Sequence, residues 1–174
     1  GARSKDESWI VVDAQPGGRI LAGTRPGVTR QDFVRALEAG TVEQCLESIP
    51  VKAGDVFRMA PGTVHALGRG VVILEIQEPS DTTFRLWDYN RLDDKGNPRE
   101  LHVEQALLSM RFGATAAIEP QVETTEWGRR ERLVRAPVYA IDRLLIEREF
   151  TWETQTDRPQ VLVVLDGALA VEGG

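Results

Sequence analysis

Short runs of apolar and β-branched residues, most of them closed by a turn containing glycine or proline, recur along this chain. This pattern predicts several short strands, and therefore a β-barrel or a β-sandwich. The runs occupy residues 8–14, 18–23, 55–60, 70–77, 82–89, 131–136, 139–149 and 160–172.

Helical periodicity interrupts the strand pattern between residues 29 and 49. Thr29 is the predicted N-cap of a first helix that ends at Gly40, and Thr41 opens a capping-box pattern for a second helix that ends before Pro50. Residues 102–110 predict another short helix. We therefore expect a mainly β fold with a small helical insert.

Charge and composition exclude several classes of partner. The 174 residues carry a net charge of −6, and acidic residues lie among the clustered arginines at 129–135, so no nucleic-acid surface is predicted. No apolar run approaches the roughly 20 residues of a membrane span, so no membrane partner is expected. The single Cys45 excludes an internal disulfide and no signal peptide is recognisable, which predicts a cytoplasmic location.

The chain contains no nucleotide-binding glycine motif and no nucleophile elbow, so attention falls on its histidines and charged residues. His65 follows Pro61 and Gly62, whose rigid turn would fix the direction of an imidazole that can bind zinc. Taken alone, such a histidine is more often structural than a ligand. His102, at the start of a predicted helix, is interpreted as a packing or capping residue.

Side chains alternate between two faces along a strand, which predicts where the polar groups of the run at 70–77 lie. Leu74 and Ile76 share one face, so Glu75 and Gln77 share the other. That second face is either the interior of a barrel or a polar edge facing solvent, and the pattern favours neither. Beyond Pro79 the alternation is repeated by Arg85, Trp87, Tyr89 and Arg91, and Lys5 and Glu7 share one face of the first strand.

Three stretches of the chain resemble one enzyme family. They are "SKDESWIVVDAQPGGRILAGTRPGVTRQDFVRAL" (4–37), "IPVKAGDVFRMAPGTVHALGRGVVILEIQEPSDTTFRLWDYNR" (49–91) and "PRELHVEQAL" (98–107). They resemble the type I mannose-6-phosphate isomerases, which are zinc-dependent cupin enzymes. The resemblance runs from about residue 4 to 110 and implies a cupin (jelly-roll) barrel over 1–111, with a linker and the start of a second cupin barrel over 112–174.

The resemblance also implies the roles of individual residues. Glu7 and His65 would be metal ligands for Zn²⁺, with a Gln-x-His pair expected a few dozen residues before Lys5. Arg85, Lys5, Asp81 and Glu75 would be the catalytic residues, and Arg91 would help to hold phosphate. The chain starts without Met and stops within a strand pattern, so we expect it to be a piece of a longer protein that supplies two of four zinc ligands.

The reaction implied is the interconversion of mannose 6-phosphate and fructose 6-phosphate through an enediolate. Arg85 would stabilise the enediolate and Lys5 would assist proton transfer between oxygens. The carbon base would be Asp81 or Glu75, which the sequence does not distinguish. A non-catalytic sugar-binding or regulatory cupin is the alternative, and a purely structural β-domain is a third. The expected partner is a small-molecule sugar phosphate, and a homo-oligomer is compatible with unpaired strand edges.

Overall fold

The computed structural model describes residues 4–89, 91–114, 116–152 and 159–170. Nine strands and two α-helices are assigned within these ranges. The strands are β1 (Glu7–Ala14), β2 (Arg19–Thr24), β3 (Leu46–Pro50), β4 (Val56–Met59), β5 (His65–Leu67), β6 (Val71–Gln77), β7 (Gln121–Thr125), β8 (Gly128–Arg135) and β9 (Ala140–Ile146). The helices are α1 (Arg30–Glu38) and α2 (Val103–Ser109), and Val42–Cys45 form a 3₁₀ turn.

Two antiparallel sheets enclose the first core. One has the strand order β4–β1–β6 and the other the order β3–β2–β5. Side chains from both sheets fill the space between them, and the buried ones are Trp9, Val11, Ile20, Ala22, Phe57, Met59 and Val71. The mainly β expectation is therefore confirmed.

A third antiparallel sheet, β7–β8–β9, covers the opposite face of the first sheet. Leu133 and Val134 of β8 pack against Ile10 of β1 and Val56 of β4 in a second apolar cluster. Arg143 of β9 also donates a 2.7 Å hydrogen bond to the carbonyl of Gly54. The β-runs predicted at 131–136 and 139–149 supply the apolar face that covers this side of the first sheet.

The first predicted helix is confirmed together with its cap. The Thr29 hydroxyl accepts from the backbone N–H of Asp32, and the Asp32 carboxylate accepts from the backbone N–H of Thr29, which completes a capping box. The predicted helix at 102–110 is confirmed as α2, and the ring of His102 lies 6.2 Å from that of Phe84 without capping the helix, in agreement with a packing role.

The second predicted helix, over 41–49, was wrong beyond Cys45. Thr41 makes no side-chain capping bond, the 3₁₀ turn is short, and the chain continues into β3. Pairing with β2 explains the difference, since Ile49 lies opposite Ile20 and Leu46 opposite Thr24. The backbone hydrogen bonds of this ladder are long-range and outweigh a local helical preference.

Two predicted strands are absent from the described residues. Residues 82–89 are irregular, because the adjacent Leu86 and Trp87 both pack into the apolar cluster around Phe33 of α1 and Leu107 of α2, which strand alternation would prevent. The run at 160–172 forms no strand over 160–170, and its remaining residues lie outside the described ranges. The division into domains at 111 and 112 stays a prediction. No described helix is long and apolar enough to span a membrane.

Replacing Phe33 by Ala should destabilise the helical part of the fold strongly. Phe33 of α1 is completely buried, and its ring meets that of Phe112 edge to face at 5.9 Å. Loss of a buried phenylalanine side chain costs about 3–5 kcal/mol, which urea denaturation would measure. Leu108→Ala on α2, whose side chain is 77% exposed, is the matched control and should cost less than about 0.5 kcal/mol. Equal losses would show that Phe33 is not a core residue.

Candidate active site

Glu7 is the buried carboxylate at the centre of the site. It opens β1, where the ladder places it between Met59 of β4 and Gln77 of β6, and it is only 2% exposed. Its Oε1 lies 2.6 Å from His65 Nε2, and its Oε2 lies 2.8 Å from Lys5 Nζ. Burial opposes the charged form, but the hydrogen bond and charge of His65 outweigh it and hold the pKa of Glu7 below its usual value.

A tight turn directs His65 toward Glu7. The backbone N–H of Thr63 donates to the carbonyl of Ala60 at 2.9 Å, with Pro61 second and Gly62, at φ +89°, third in the turn. This is the arrangement of a type II turn, which needs a positive φ at its third residue. A Cβ on Gly62 would lie 2.4 Å from the carbonyl oxygen of Ser109, so only glycine fits between the turn and α2.

The imidazole of His65 is held on both sides. Its Nδ1 lies 2.8 Å from the carbonyl of Thr63, so it donates there and leaves Nε2 facing Glu7. The ring also meets Trp9 edge to face at 5.1 Å. Burial disfavours the cation, but the hydrogen bond to Glu7 outweighs this and raises the pKa of His65.

The predicted alternation along β6 is confirmed, and it settles which face carries the polar groups. Gln77 and Glu75 share the face of Glu7, since Gln77 accepts a 3.0 Å hydrogen bond from Lys5 Nζ and Glu75 accepts a 2.9 Å bond from Trp9 Nε1. Both side chains reach solvent. This face is therefore the inner side of the sheet sandwich at an end that is open to solvent.

Glu7 and His65 fit part of a metal site. The Oε2 atom of Glu7 is buried and has no hydrogen-bond partner of good geometry, although Lys5 lies close to it. The bond from His65 Nδ1 to a carbonyl is the usual arrangement behind a metal-binding imidazole. Within the described residues no group of three or more His, Cys, Asp or Glu side chains converges. These residues therefore present two donors, Glu7 and His65, where tetrahedral zinc needs four ligands.

A second group of charged residues surrounds Asp88. Arg99 makes two hydrogen bonds to this buried carboxylate, one of them 2.6 Å from Nε, while Arg91 Nε lies 3.6 Å and Arg85 Nε 3.9 Å from its Oδ1. The hydrogen bond from Arg99 keeps the pKa of Asp88 below its usual value. Arg85 also donates to the carbonyl of Glu100 at 3.2 Å. Three cations against one carboxylate leave a positive excess.

The structure brings together only some of the residues that the sequence singles out. Lys5, Glu7 and His65 are in direct contact, whereas Arg85 and Arg91 belong to the group around Asp88. No hydrogen bond or ion pair joins the two groups in the described part of the chain. Asp81, another catalytic candidate, is exposed and makes no hydrogen bond within the described residues.

Sequence reasoning missed Asp88, Arg99 and the indole of Trp9. The partners of Asp88 and Trp9 are set by folding across distances of 11 and 66 residues in the sequence, so local spacing carried no signal for them. It also missed Asp6, although strand alternation places this residue on the face opposite Lys5 and Glu7.

Two curated proteins and one solved structure that are similar to this chain carry the same name. Mannose-6-phosphate isomerase of Streptococcus mutans is 36% identical over 141 residues, which are 81% of this chain and 44% of that protein. Mannose-6-phosphate isomerase ManA of Bacillus subtilis is 39% identical over 107 residues, or 62% of this chain and 34% of that protein. The crystal structure of the mannose 6-phosphate isomerase from Bacillus subtilis superposes with a TM-score of 0.73 and 30% identity, covering 79% of this chain and 44% of that one.

The chain is similar to mannose-6-phosphate isomerases in both sequence and fold. Its two facing sheets are those of a cupin fold, so the predicted cupin (jelly-roll) barrel is confirmed as the fold class. The chain spans 44% and 34% of the lengths of the two isomerases named above, so less than half of either is represented. No family model matches the chain.

Proposed function

We propose that the protein containing this chain interconverts mannose 6-phosphate and fructose 6-phosphate, and that the chain supplies part of the active site. The observation that carries the proposal is the convergence of Lys5, Glu7 and His65 on the inner face of the sandwich. A buried carboxylate facing an imidazole and an ammonium group is costly unless the site uses it. The similarity of the chain to mannose-6-phosphate isomerases supports the same reaction.

The metal in this proposal is Zn²⁺, which Glu7 and His65 would hold together with ligands from outside the described residues. When bound, zinc would supply Lewis-acid stabilisation of negative charge on the sugar oxygens. Glu7 can contribute the buried Oε2 that lacks a hydrogen bond, and His65 can contribute Nε2. Thr63 fixes the tautomer of His65 by accepting the proton on Nδ1.

The other residues would handle protons and charge. Lys5 would move a proton between the two sugar oxygens, since its ammonium lies beside Glu7 with only 19% of the side chain exposed. Arg85 would stabilise the enediolate without exchanging a proton. Arg91, in the positive group around Asp88, would bind the dianionic phosphate.

Of the two candidates for the carbon base, Glu75 is the better placed. It lies on the same face as Glu7 and is oriented by Trp9, whose ring also contacts His65. Asp81 has no comparable support in the described residues. We therefore assign proton removal from carbon to Glu75, with Asp81 as the alternative that a Glu75→Gln variant of unchanged activity would favour.

The test is zinc content and isomerase activity of the full-length protein that contains this chain. We expect about one zinc per chain by elemental analysis, and formation of fructose 6-phosphate from mannose 6-phosphate in a coupled assay. Chelation should abolish turnover and added zinc should restore it. Sugar-phosphate binding without turnover, with or without zinc, would contradict the isomerase proposal and favour a non-catalytic sugar-binding cupin.

A further inference from the structure

We infer that Tyr139, which lies between β8 and β9 on the sheet behind the site, is a positioning residue for Lys5 and Glu7. The inference rests on the proposed function and concerns the face of β1 opposite the site. Lys5 and Glu7 point to the inner face, so Asp6 and Ser8 point to the outer face, where the third sheet packs. Tyr139 contacts both of these outer residues.

The phenol of Tyr139 lies in a closed hydrogen-bond network. Its hydroxyl donates to Asp6 Oδ1 at 2.9 Å, and because that uses its only proton, it accepts from the hydroxyl of Ser8, also at 2.9 Å. The pKa of Tyr139 is raised to about 12, mainly by burial, so the phenol keeps this proton. Ser8 is completely buried and Asp6 nearly so. Water therefore has little access to these groups and cannot easily replace a lost hydrogen bond.

Arg58 of β4 completes the anchoring of Asp6. Its Nε and Nη2 atoms lie 3.1 and 2.6 Å from the two carboxylate oxygens of Asp6, in the bidentate geometry that fixes orientation. Two hydrogen bonds hold the backbone of Asp6 as well. Its N–H donates to the Glu78 carboxylate at 2.9 Å, and its carbonyl accepts from the Glu78 N–H at 3.0 Å. Asp6 is thus tied to β4, to the end of β6 and to the third sheet.

This anchoring matters because β1 begins only at Glu7. Lys5 and Asp6 precede the paired strand, so the sheet ladder does not fix Lys5. Its ammonium nevertheless lies 2.8 Å from Glu7 and 3.0 Å from Gln77. The hydrogen bonds to Asp6 hold the backbone between Lys5 and Glu7. Tyr139 donates the hydrogen bond that links Asp6 to the third sheet.

The experiment is Tyr139→Phe in the full-length protein, a change that keeps the ring in the apolar cluster and removes only the hydroxyl. We expect zinc affinity, measured by chelator competition, and kcat each to fall on the order of tenfold, as changes behind metal ligands do, with KM little altered. The matched control is Val134→Ala, which removes volume from the same apolar cluster but touches neither Asp6 nor Ser8. It should lower the melting temperature without changing zinc affinity or kcat.

The outcomes are distinguishable. Wild-type protein without zinc or turnover would contradict the proposed function, but it would not contradict the hydrogen-bond network of Tyr139, Asp6 and Ser8. Active wild type with an unchanged Tyr139→Phe variant, or with equal losses in Tyr139→Phe and Val134→Ala, would overturn the positioning role. If Tyr139→Phe fails to fold, Ser8→Ala removes one of the two bonds of the phenol, and an unchanged zinc affinity there would also overturn it.

Discussion

Replacement of Arg85 by Ala is expected to lower kcat of the full-length protein by about 10²–10³-fold while zinc content stays unchanged. This is the usual effect of removing one donor that stabilises a developing oxyanion. Arg85 is a permanent cation, and its closest carboxylate, Asp88, is shared with two other arginines. It contacts neither Glu7 nor His65 in the described structure, so its loss should leave these two proposed zinc ligands in place. Steady-state kinetics and elemental analysis would measure the two quantities separately.

Two further variants show whether the effect belongs to Arg85 itself. Arg35→Ala on α1 removes an equal charge from a side chain that is 72% exposed, and it should leave kcat unchanged. Arg85→Lys keeps the charge without the planar fork, so a partial recovery of kcat is expected. Parallel loss of kcat and zinc in Arg85→Ala would instead mean that Arg85 supports the metal site, and its role as enediolate stabiliser would be wrong.

The features that the sequence predicts well are those decided within a few residues. The cap at Thr29 depends on Asp32, three residues away, and the alternation of Glu75 and Gln77 depends on strand geometry alone. The stretch at 41–49 was mispredicted because its apolar spacing suits both a helix and a turn followed by a strand, and pairing with β2 decides between them. Local pattern contains no information about that partner.

The candidate site divides in the same way. Three residues that the family resemblance singles out, Lys5, Glu7 and His65, are in direct contact in the structure, and their roles stay predictions. The groups that support them do not follow from spacing. Tyr139 lies 133 residues from Asp6, and Arg99 reaches Asp88 only because the irregular segment between β6 and α2 folds back on itself. The residues that orient the site are brought together by tertiary packing, so a single sequence points to the candidate ligands before it shows what orients them.

Replacement of His65 by Ala should abolish zinc binding to the full-length protein at micromolar metal. In the proposed site His65 would supply one of the metal-binding nitrogens, so its loss should lower zinc affinity by more than the roughly 10–100-fold that changes behind a ligand cost. Activity should fall with it, and added zinc should restore neither fully. Chelator competition and turnover measured over a range of zinc concentrations would test this, with circular dichroism to confirm that the strands remain.

His102→Ala is the matched control, because His102 is the other histidine of the chain and its side chain is exposed to a similar degree, 29% against 28%. It packs near Phe84 and lies 3.8 Å from Glu100, in no contact with Glu7, so zinc affinity should be unchanged. Removing His65 also leaves the buried carboxylate of Glu7 with Lys5 as its only ion-pair partner among the described residues. A folded His65→Ala protein that keeps wild-type zinc affinity would show that His65 only neutralises Glu7, and the metal site would have to lie elsewhere.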